Sequence, residues 1–521
     1  MFQPISNTEK RTISAEEFNY FSGLKIELSE TKQELKTTQQ KLEESEQLLA
    51  WFKEQFKLEK QRQFGKKTEQ LKALGVVQLD LFDENKEETT PEEQPEAEQE
   101  TITYSRKKKS CGRKLDTSLL TRETKLHDIP DKHCTCCGTE LEKIGEDRSE
   151  QIEYIPEQLK VIEHIRPKYT CRKCQTVKSA AKPASPLPKS MAGASLIAEV
   201  ITRKYQYHLP LYRQAKIFAQ QGLDIPDNTL GNWIMQSGDL LEKLSDAMWQ
   251  QIPKSTVIQA DETPVKVLTE KKQGYMWCYH SYTADNRYVI FEYSNSRSGN
   301  VAYNRLKNYQ GILQTDGYGG YNGLRNNQDI TNVGCFAHCR RKFAEITKIT
   351  KKTGKAHMAV NYIRQLYKIE KESHDVTVDK RLEIRQKQAK PILDKFKQWL
   401  EKSLPQSPPQ SAIGKAMSYA LRQWKYLYEY VNHGEVPIDN NLVENQIRPF
   451  ALGRKNWLFS GNEKGANIAA LYYSLIQTCI MNNIKPYSYL TYVLGQVHNL
   501  RRNEIDAVKL LPQFIDKNLL H

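Results

Sequence analysis

The chain of 521 residues has no long hydrophobic run. Residues 1–16 lack the pattern of a basic start followed by an apolar stretch. The most apolar window, 466–480, is interrupted by Asn467 and Gln477. A secretory signal and a transmembrane helix each need a continuous apolar segment. We therefore expect neither secretion nor membrane spanning, and we predict a cytoplasmic protein with no membrane partner.

Cysteine is scarce outside one region, because five of the ten cysteines lie within residues 134–174. Without a secretory signal, such clustering favours metal binding over disulfides. The spacing C-x2-C-x33-C-x2-C places four thiolates on two tight turns, which is typical of a zinc ribbon with a closed tetrahedral shell. The predicted ligands of one structural Zn²⁺ are Cys134, Cys137, Cys171 and Cys174. Cys136 and His133, beside the first pair, stay open as alternative ligands.

Acidic residues are in the minority, with 63 Asp and Glu against 77 Lys and Arg and a net charge of +14. Residues 81–100 carry nine acids and one lysine, a local charge of −8, so the remainder carries +22. An excess of cations favours phosphate-rich partners such as nucleic acid. The acidic segment indicates a linker, and residues 106–114 form a basic arm that either follows DNA phosphates or is simply solvated.

A seven-residue repeat of apolar side chains occupies the N-terminal region. It comprises Leu28, Leu35, Leu42, Leu49 and Phe56. A repeat sustained over four heptads predicts a coiled coil, and hence a homodimer, although a solitary amphipathic helix is the alternative.

Three helical patterns lie between residues 195 and 248, separated by Pro210 and by the turn at 222–226. A helix, a turn and a further helix with a basic start are typical of helix-turn-helix DNA contacts. An ordinary helical subdomain would have the same pattern, so both interpretations stay open here.

After Pro253 the sequence predicts the element order β-β-β-α-β-α-β, which is that of a ribonuclease H-like core. The predicted strands are 256–260, 275–283, 288–293, 312–315 and 330–336, with a helix over 300–309. Asp261 follows the first strand and Asp316 follows the fourth. Those strands are neighbours in such a sheet, so we expect the two carboxylates to lie close together.

A third carboxylate is expected from a later helix that packs on the sheet. Glu444 lies in the first two turns of a helix predicted to start near Asp439 and to end at Pro449. Asp439 is the competing candidate, but its position at the helix cap favours a bond to backbone N–H groups. Arg448 is four residues beyond Glu444, where it either touches DNA phosphate or steadies the carboxylate.

Three carboxylates suit magnesium or manganese, which are hard ions that take oxygen ligands. Two ions about 4 Å apart can activate an attacking oxygen and stabilise a leaving one. The residues Asp261, Asp316 and Glu444 therefore predict a metal-dependent phosphoryl-transfer site that holds two ions.

Several stretches resemble the large transposase subunit of the bacterial insertion-sequence family numbered sixty-six, over essentially the whole chain. They are Ala-Asp-Glu-Thr-Pro at 260–264, Gln-Thr-Asp-Gly-Tyr-Gly-Gly-Tyr at 314–321, Gly-Cys-Phe-Ala-His-Cys-Arg-Arg-Lys-Phe at 334–343, Asp-Asn-Asn-Leu-Val-Glu at 439–444, and Arg-Pro-Phe-Ala-Leu-Gly-Arg-Lys-Asn-Trp-Leu-Phe at 448–459. The resemblance implies a recombinase with an Asp-Asp-Glu triad, a separate structural zinc, DNA and accessory proteins of the same element as partners, and association with the nucleoid.

Five cations in these stretches are candidate DNA contacts: Arg340, Arg341, Arg448, Arg454 and Lys455. The preceding Cys335 and Phe336 are expected to be buried strand residues. Residues 350–433 predict a helical insertion, in which Trp424 or Tyr426 either stacks on a base or packs in a core.

Together these features predict an α+β multidomain protein. Its expected parts are a coiled coil (1–80), an acidic linker and basic arm (81–115), a zinc finger (116–185), a helical DNA-binding domain (186–252), a catalytic core in two parts (253–349 and 436–484), a helical insertion (350–435) and a helical tail (485–521). The alternative function is a non-catalytic, zinc-dependent DNA-binding regulator, which Mg²⁺-dependent strand cleavage would distinguish.

Overall fold

A computed structural model of the chain describes residues 14–64, 159–165, 168–170, 177–179, 185–188, 190–270, 273–283, 286–349 and 353–520. The four predicted zinc ligands, and the acidic linker with its basic arm, lie outside these residues. Within the described ranges, no helix is long and apolar enough to span a bilayer.

The N-terminal part of the structure is one helix, α1 (Ala15–Phe64). Its end contacts helices of the insertion: Trp51 Nε1 donates to the Gln410 carbonyl at 3.0 Å, and Glu54 Oε2 accepts from the Ala412 backbone N at 3.1 Å. Further along the chain, β1 (Lys168–Thr170) and β2 (Val177–Ser179) pair antiparallel. They lie beside the second predicted cysteine pair in the sequence.

Four helices precede the main sheet: α2 (Ala194–Tyr205), α3 (Leu211–Gln220), α4 (Asp227–Leu240) and α5 (Glu242–Trp249). Apolar residues of all four, such as Ile201, Phe218, Ile234 and Leu244, are buried in the same core as the sheet. The region predicted as a separate helical domain is therefore packed directly against the sheet.

The main sheet has five strands in the order β5-β4-β3-β6-β7. In chain order the elements are β3 (Val257–Val265), β4 (Gly274–Thr283), β5 (Asn286–Ser294), α6 (Asn300–Leu306), β6 (Gly311–Gln314), α7 (Asn322–Arg325) and β7 (Ile330–Val333). The pairs β3–β4 and β4–β5 are antiparallel, whereas β3–β6 and β6–β7 are parallel. The mixed sheet places β3 and β6 side by side, as the sequence predicted.

Helix α8 (Phe336–Ile349) follows β7 and leads into the helical insertion. The helices of the insertion are α9 (Lys355–Glu372), α10 (Val378–Ile384), α11 (Lys390–Ser403), α12 (Ala412–Arg422) and α13 (Trp424–Glu429), with a π-helical turn over Arg385–Ala389. Their apolar residues, such as Ile363, Phe396 and Trp424, form a second hydrophobic core together with α8 and with Val257, Ile312 and Val333 of the sheet.

The chain then returns to the sheet through α14 (Asn441–Trp457), α15 (Glu463–Met481) and α16 (Pro486–Arg501). Helix α15 covers the exposed edge at β5, because Ser474 Oγ accepts from the Phe291 backbone N (2.7 Å) and Thr478 Oγ1 accepts from that of Val289 (3.0 Å). An unpaired edge strand invites pairing with other chains, so these hydroxyls close the sheet at this side.

Two predicted boundaries are wrong. Helix α14 continues through Pro449, although a proline inside a helix costs about 3 kcal/mol and leaves one carbonyl without its N–H partner. Phe450, the next residue, is fully buried and packs edge-to-face on Trp457 and Tyr473, which offsets that loss. Strand β7, predicted to run to residue 336, ends at Val333, and Phe336 begins α8. The prediction failed because the apolar run of a buried strand and that of a buried helix start look the same in the sequence.

Candidate active site

Two neighbouring parallel strands bring two of the predicted carboxylates together. In the β3–β6 pair, Gln259 lies opposite Gln314. Asp261 is two residues beyond Gln259 and shares its face of the sheet, and Asp316 lies in the loop directly after β6. Asp316 Oδ1 accepts a hydrogen bond from the Tyr318 backbone N at 2.8 Å, which orients its carboxylate.

The two buried glutamines join the strands to the helix that carries the third carboxylate. Gln259 Nε2 donates to Gln314 Oε1 (2.7 Å) and to the Asp439 carbonyl (3.1 Å), and Gln259 Oε1 accepts from the Val443 backbone N (3.0 Å). Gln314 Nε2 donates to the Pro437 carbonyl at 2.7 Å. We call these two residues the glutamine pair. Because Glu444 directly follows Val443, the glutamine pair holds the start of α14 on the strands.

Glu444 faces the first turns of α8. His338 Nδ1 lies 3.6 Å from Glu444 Oε1, and Arg341 Nη2 lies 3.7 Å from Glu444 Oε2. Burial lowers the pKa of His338 to about 4, so its imidazole is neutral near neutral pH. The arginine is therefore the charged neighbour of Glu444, a role that the sequence had offered to Arg448.

The electrostatics of the site oppose ionisation of its acids. Burial raises the pKa of Asp261 well above its ordinary range, and the charges of Glu262, Glu444 and Asp316 raise it further. Burial likewise raises the pKa of Glu444 to about 7, against the stabilising charge of Arg341. Asp261 therefore lies close enough to both Asp316 and Glu444 for their charges to oppose its ionisation, which is the electrostatic environment that a bound cation would relieve.

The donor set suits a hard divalent cation. All three groups offer carboxylate oxygens, and Glu444 Oε1 is buried with no hydrogen-bond donor in the described part of the chain. A buried, unpartnered anionic oxygen is costly unless a cation compensates it. Within the described residues, no three His, Cys, Asp or Glu side chains are grouped tightly enough to form a ready-made metal shell. The chemistry of the donor set thus fits a hard divalent cation.

A fourth acid, beside the three carboxylates, was not anticipated from the sequence. Glu262 has a side chain only 2% exposed, and Arg297 donates to its Oε1 at 2.6 Å while Tyr321 donates to its Oε2 at 2.8 Å. The Arg297 guanidinium in turn lies 4.1 Å from the centre of the Tyr318 ring. These contacts fasten the loop that carries Asp316 to strand β3.

Asp439 lies next to the site but is occupied by other contacts. Its Oδ1 accepts from the Asn441 backbone N at 3.2 Å, at the first residue of α14, and its Oδ2 accepts from the Tyr367 hydroxyl at 2.7 Å. Both carboxylate oxygens therefore have donors, in contrast to Glu444.

The candidate DNA-contact cations fall on two helices. Arg340 and Arg341 lie on α8, whereas Arg448, Arg454 and Lys455 lie on α14. Arg454 donates to Thr263 Oγ1 and to the Pro264 carbonyl, so it also anchors the end of the Asp261 strand. Arg341 and Lys455 are exposed, and Arg340 and Arg448 are partly buried.

A family model described as Transposase IS66 family matches residues 189–468, more than half of the chain. This protein belongs to the IS66 transposase family. Three further models match other parts of the chain: the zinc-finger binding domain of transposase IS66 (131–175), the IS66 C-terminal element (474–512), and a model described as Transposase C of IS166 homeodomain (51–124). The family resemblance carried by the sequence motifs is confirmed.

Two similar proteins come from Sinorhizobium fredii, and both are described as uncharacterized. Protein y4hP is 32% identical over 394 residues, covering 71% of this IS66-family chain and 71% of its own length. Protein y4jD is 31% identical over 459 residues, covering 83% of this chain and 88% of its own. Their similarity thus extends over most of the architecture.

The raised pKa of Glu444 predicts a pH-dependent stability. Between its ordinary pKa of 4.5 and the folded value of about 7, the folded carboxyl binds more protons than the unfolded one. The free energy of unfolding therefore falls as pH rises through this window. We expect Glu444→Gln to unfold at a higher temperature than wild type at pH 7 without added divalent metal, by the equivalent of at most about 3 kcal/mol.

That gap should narrow as the pH is lowered and close below about 4.5, where the Glu444 carboxyl is protonated in the unfolded chain as well as in the folded one. Thermal unfolding of both proteins across the pH range measures it. Glu372→Gln, at an exposed position on α9, is the control and should show no such gap. A Glu444→Gln variant that is less stable than wild type at pH 7 would contradict the prediction.

Proposed function

We propose that this IS66-family protein is a DNA transposase that binds the ends of its insertion sequence and catalyses metal-dependent strand cleavage and strand transfer. Asp261, Asp316 and Glu444 are its catalytic triad. The observation that carries the proposal is their convergence from β3, β6 and α14 into one site where burial and mutual charge raise the pKa values of Asp261 and Glu444. The sheet order and its connections support a ribonuclease H-like core.

The three carboxylates would hold Mg²⁺ or Mn²⁺. When bound, the ions supply an activated attacking oxygen and neutralise the charge on the leaving one. The residues of the chain bind and orient: the glutamine pair sets the position of Glu444, Arg341 holds its carboxylate, and the Tyr318 backbone N orients Asp316. No side chain of the triad is assigned the role of a nucleophile, because its three carboxylates would serve as ligands of the ions.

DNA is the partner that the charge distribution supports. The net charge of +14 includes the acidic segment 81–100, so the rest of the chain is strongly cationic. The cations proposed to contact DNA phosphates lie on α14, which carries Glu444, and on α8, which faces it: Arg340, Arg341, Arg448 and Lys455.

The proposal is tested by incubating the purified full chain with DNA that carries the ends of its own element. We expect nicking at the ends and joining to target DNA when Mg²⁺ is added, and binding alone when it is omitted. Binding without cleavage under both conditions would instead support a DNA-binding regulator.

We also propose that α1 forms a coiled-coil homodimer. Leu28, Leu35, Leu42 and Leu49 are 54–59% exposed in the single chain, although α1 is docked on the insertion near Trp51. A regular apolar stripe facing water is stabilised by a second copy of the same helix.

Replacing Leu35 and Leu42 together with lysine should convert the dimer to a monomer, because two charges would face each other in the seam. Sedimentation velocity measures the change. The control replaces Gln33 and Gln40, exposed on another face of α1, with lysine and should remain dimeric. A wild-type chain that sediments as a monomer would contradict the prediction.

The zinc finger is proposed to hold one Zn²⁺ through Cys134, Cys137, Cys171 and Cys174, as its match to the zinc-finger family model supports. Four thiolates leave no open position, so the metal stabilises the fold and does not bind substrate. We expect Cys171→Ser to lower the zinc content below one per chain and to reduce thermal stability, whereas Cys111→Ser should change neither. A zinc-free Cys171→Ser protein as stable as wild type would contradict this.

A further inference from the structure

Two cations lie over tyrosine rings on the side of the carboxylate site formed by the insertion. The Arg325 guanidinium lies 4.2 Å from the centre of the Tyr426 ring, and Lys342 Nζ lies 4.5 Å from the centre of the Tyr419 ring. We call these four residues the cation–tyrosine rim. Trp424, the other aromatic candidate for DNA stacking, is buried and packs edge-to-face on Phe396.

The rim is fixed next to Asp316. Arg325 Nη2 donates to the Asp316 carbonyl at 2.9 Å. A Cβ on Gly317, the next residue, would come within 2.5 Å of the Tyr419 hydroxyl, so this tyrosine approaches the loop closely only because glycine is there. These contacts place both rings and both cations beside a proposed metal-binding carboxylate.

The two cations have binding capacity left. Lys342 is exposed and Arg325 is partly exposed, and neither forms an ion pair with a carboxylate among the residues that the structure describes; besides the Asp316 carbonyl, Arg325 donates only a long hydrogen bond of 3.4 Å to Asn322 Oδ1. A cation held on an aromatic face keeps its N–H groups directed at other ligands. A guanidinium fork and an ammonium so placed match the oxygens of phosphate groups.

We propose that the cation–tyrosine rim binds the phosphate backbone of the DNA strand that continues from the cut phosphate toward the insertion. The inference rests on the proposed function, because it assumes that the phosphate at the carboxylates belongs to DNA. Arg325 and Lys342 contact successive backbone phosphates, while Tyr426 and Tyr419 hold the two cations in place. The insertion therefore contributes directly to the DNA-binding surface.

The test is the salt dependence of DNA binding by the full chain, without added divalent metal. The probe is a fluorescein-labelled DNA duplex of arbitrary sequence, and anisotropy gives the binding constant at several salt concentrations. Each phosphate contact contributes about 0.9 to the slope of log K against log salt. We expect Arg325→Gln and Lys342→Gln each to make this negative slope less steep by about 0.9 and to weaken binding several-fold.

Matched variants separate the rim from general charge loss. Lys368→Gln removes one charge from an exposed lysine on α9, which pairs with Glu372, and should leave the slope unchanged. Tyr426→Phe keeps the ring and should bind like wild type, whereas Tyr426→Leu should weaken binding as the ring that seats Arg325 is lost.

If the wild type binds DNA and both Arg325→Gln and Lys342→Gln give its salt slope, the proposal for the cation–tyrosine rim is wrong while the proposed function stands. A wild-type chain that binds no DNA overturns the proposed function and the rim with it. If Arg325→Gln lowers the melting temperature, the salt slope of Lys342→Gln tests the proposal instead. Lys342 is exposed, and its side chain supports no backbone contact of the Asp316 loop.

Discussion

Replacing Asp261, Asp316 or Glu444 with the matching amide is expected to abolish Mg²⁺-dependent cleavage and strand transfer while DNA binding persists. The amide keeps the shape of the side chain but removes the negative charge that holds a cation. Since the metal site both activates the attacking oxygen and stabilises the leaving one, we expect a loss of about three or more orders of magnitude in rate. A gel assay on labelled element ends measures it.

Asp439→Asn is the matched control, because Asp439 is an acid of the same region whose oxygens already accept from Asn441 and Tyr367. An amide oxygen can still accept one of these bonds, so a milder loss of rate is expected. If Asp439→Asn were inactive while Glu444→Gln kept normal activity, the third carboxylate would be Asp439 and the assignment of Glu444 would be wrong.

Gln259→Leu is expected to have the second largest effect, because Gln259 joins β3 to β6 and to the start of α14. Leucine has nearly the same volume but leaves the Val443 N–H and the Asp439 carbonyl without this partner, at a cost of about 1–3 kcal/mol for each buried group. The helix start that carries Glu444 would then shift. A misplacement of about 1 Å costs roughly a hundredfold in rate.

Gln214→Leu separates loss of stability from loss of position. Gln214 is a fully buried glutamine that donates to the carbonyls of Val200 and Leu209, among the helices before the sheet. We expect it to lower the melting temperature by a similar amount and to leave the cleavage rate of the folded protein near wild type. Equal rate losses in both variants, or none in Gln259→Leu, would contradict a positioning role for the glutamine pair.

The residues near Asp261 and Asp316 show which parts of the site could be predicted from the sequence. Each aspartate follows a strand pattern, Val257–Ala260 or Ile312–Thr315, so both strands were predictable from the pattern, and their adjacency was predictable from the order of the elements. The glutamine inside each run was the available signal for the glutamine pair, since a polar residue in a buried strand needs a partner. The distant partners of Gln259 and Gln314 lie in residues 437–443, which lead into α14 and are about 180 and 120 residues away in the chain, and no local pattern encodes such a contact.

The end of α14 shows the opposite limit. Proline is a strong local signal for a helix end, and the helix was therefore expected to end at Pro449. The burial of Phe450 against Tyr473 and Trp457 outweighs that signal, and it became visible only in the folded chain. The contacts of Glu262 likewise became visible only in the folded chain, because its partners Arg297 and Tyr321 come from two other loops.

By itself the sequence determined the element order of the sheet, the family and the leucine repeat, and it singled out the three candidate carboxylates, because each of these is carried by short-range spacing or by a contiguous motif. Only the tertiary structure decided which residues support the site: the glutamine pair that holds Glu444, the Glu262 contacts that hold the Asp316 loop, and the tyrosines of the insertion beneath Arg325 and Lys342. The physical reason is that these contacts join segments far apart in the chain, and their energies depend on burial and distance, which exist only once the chain has folded.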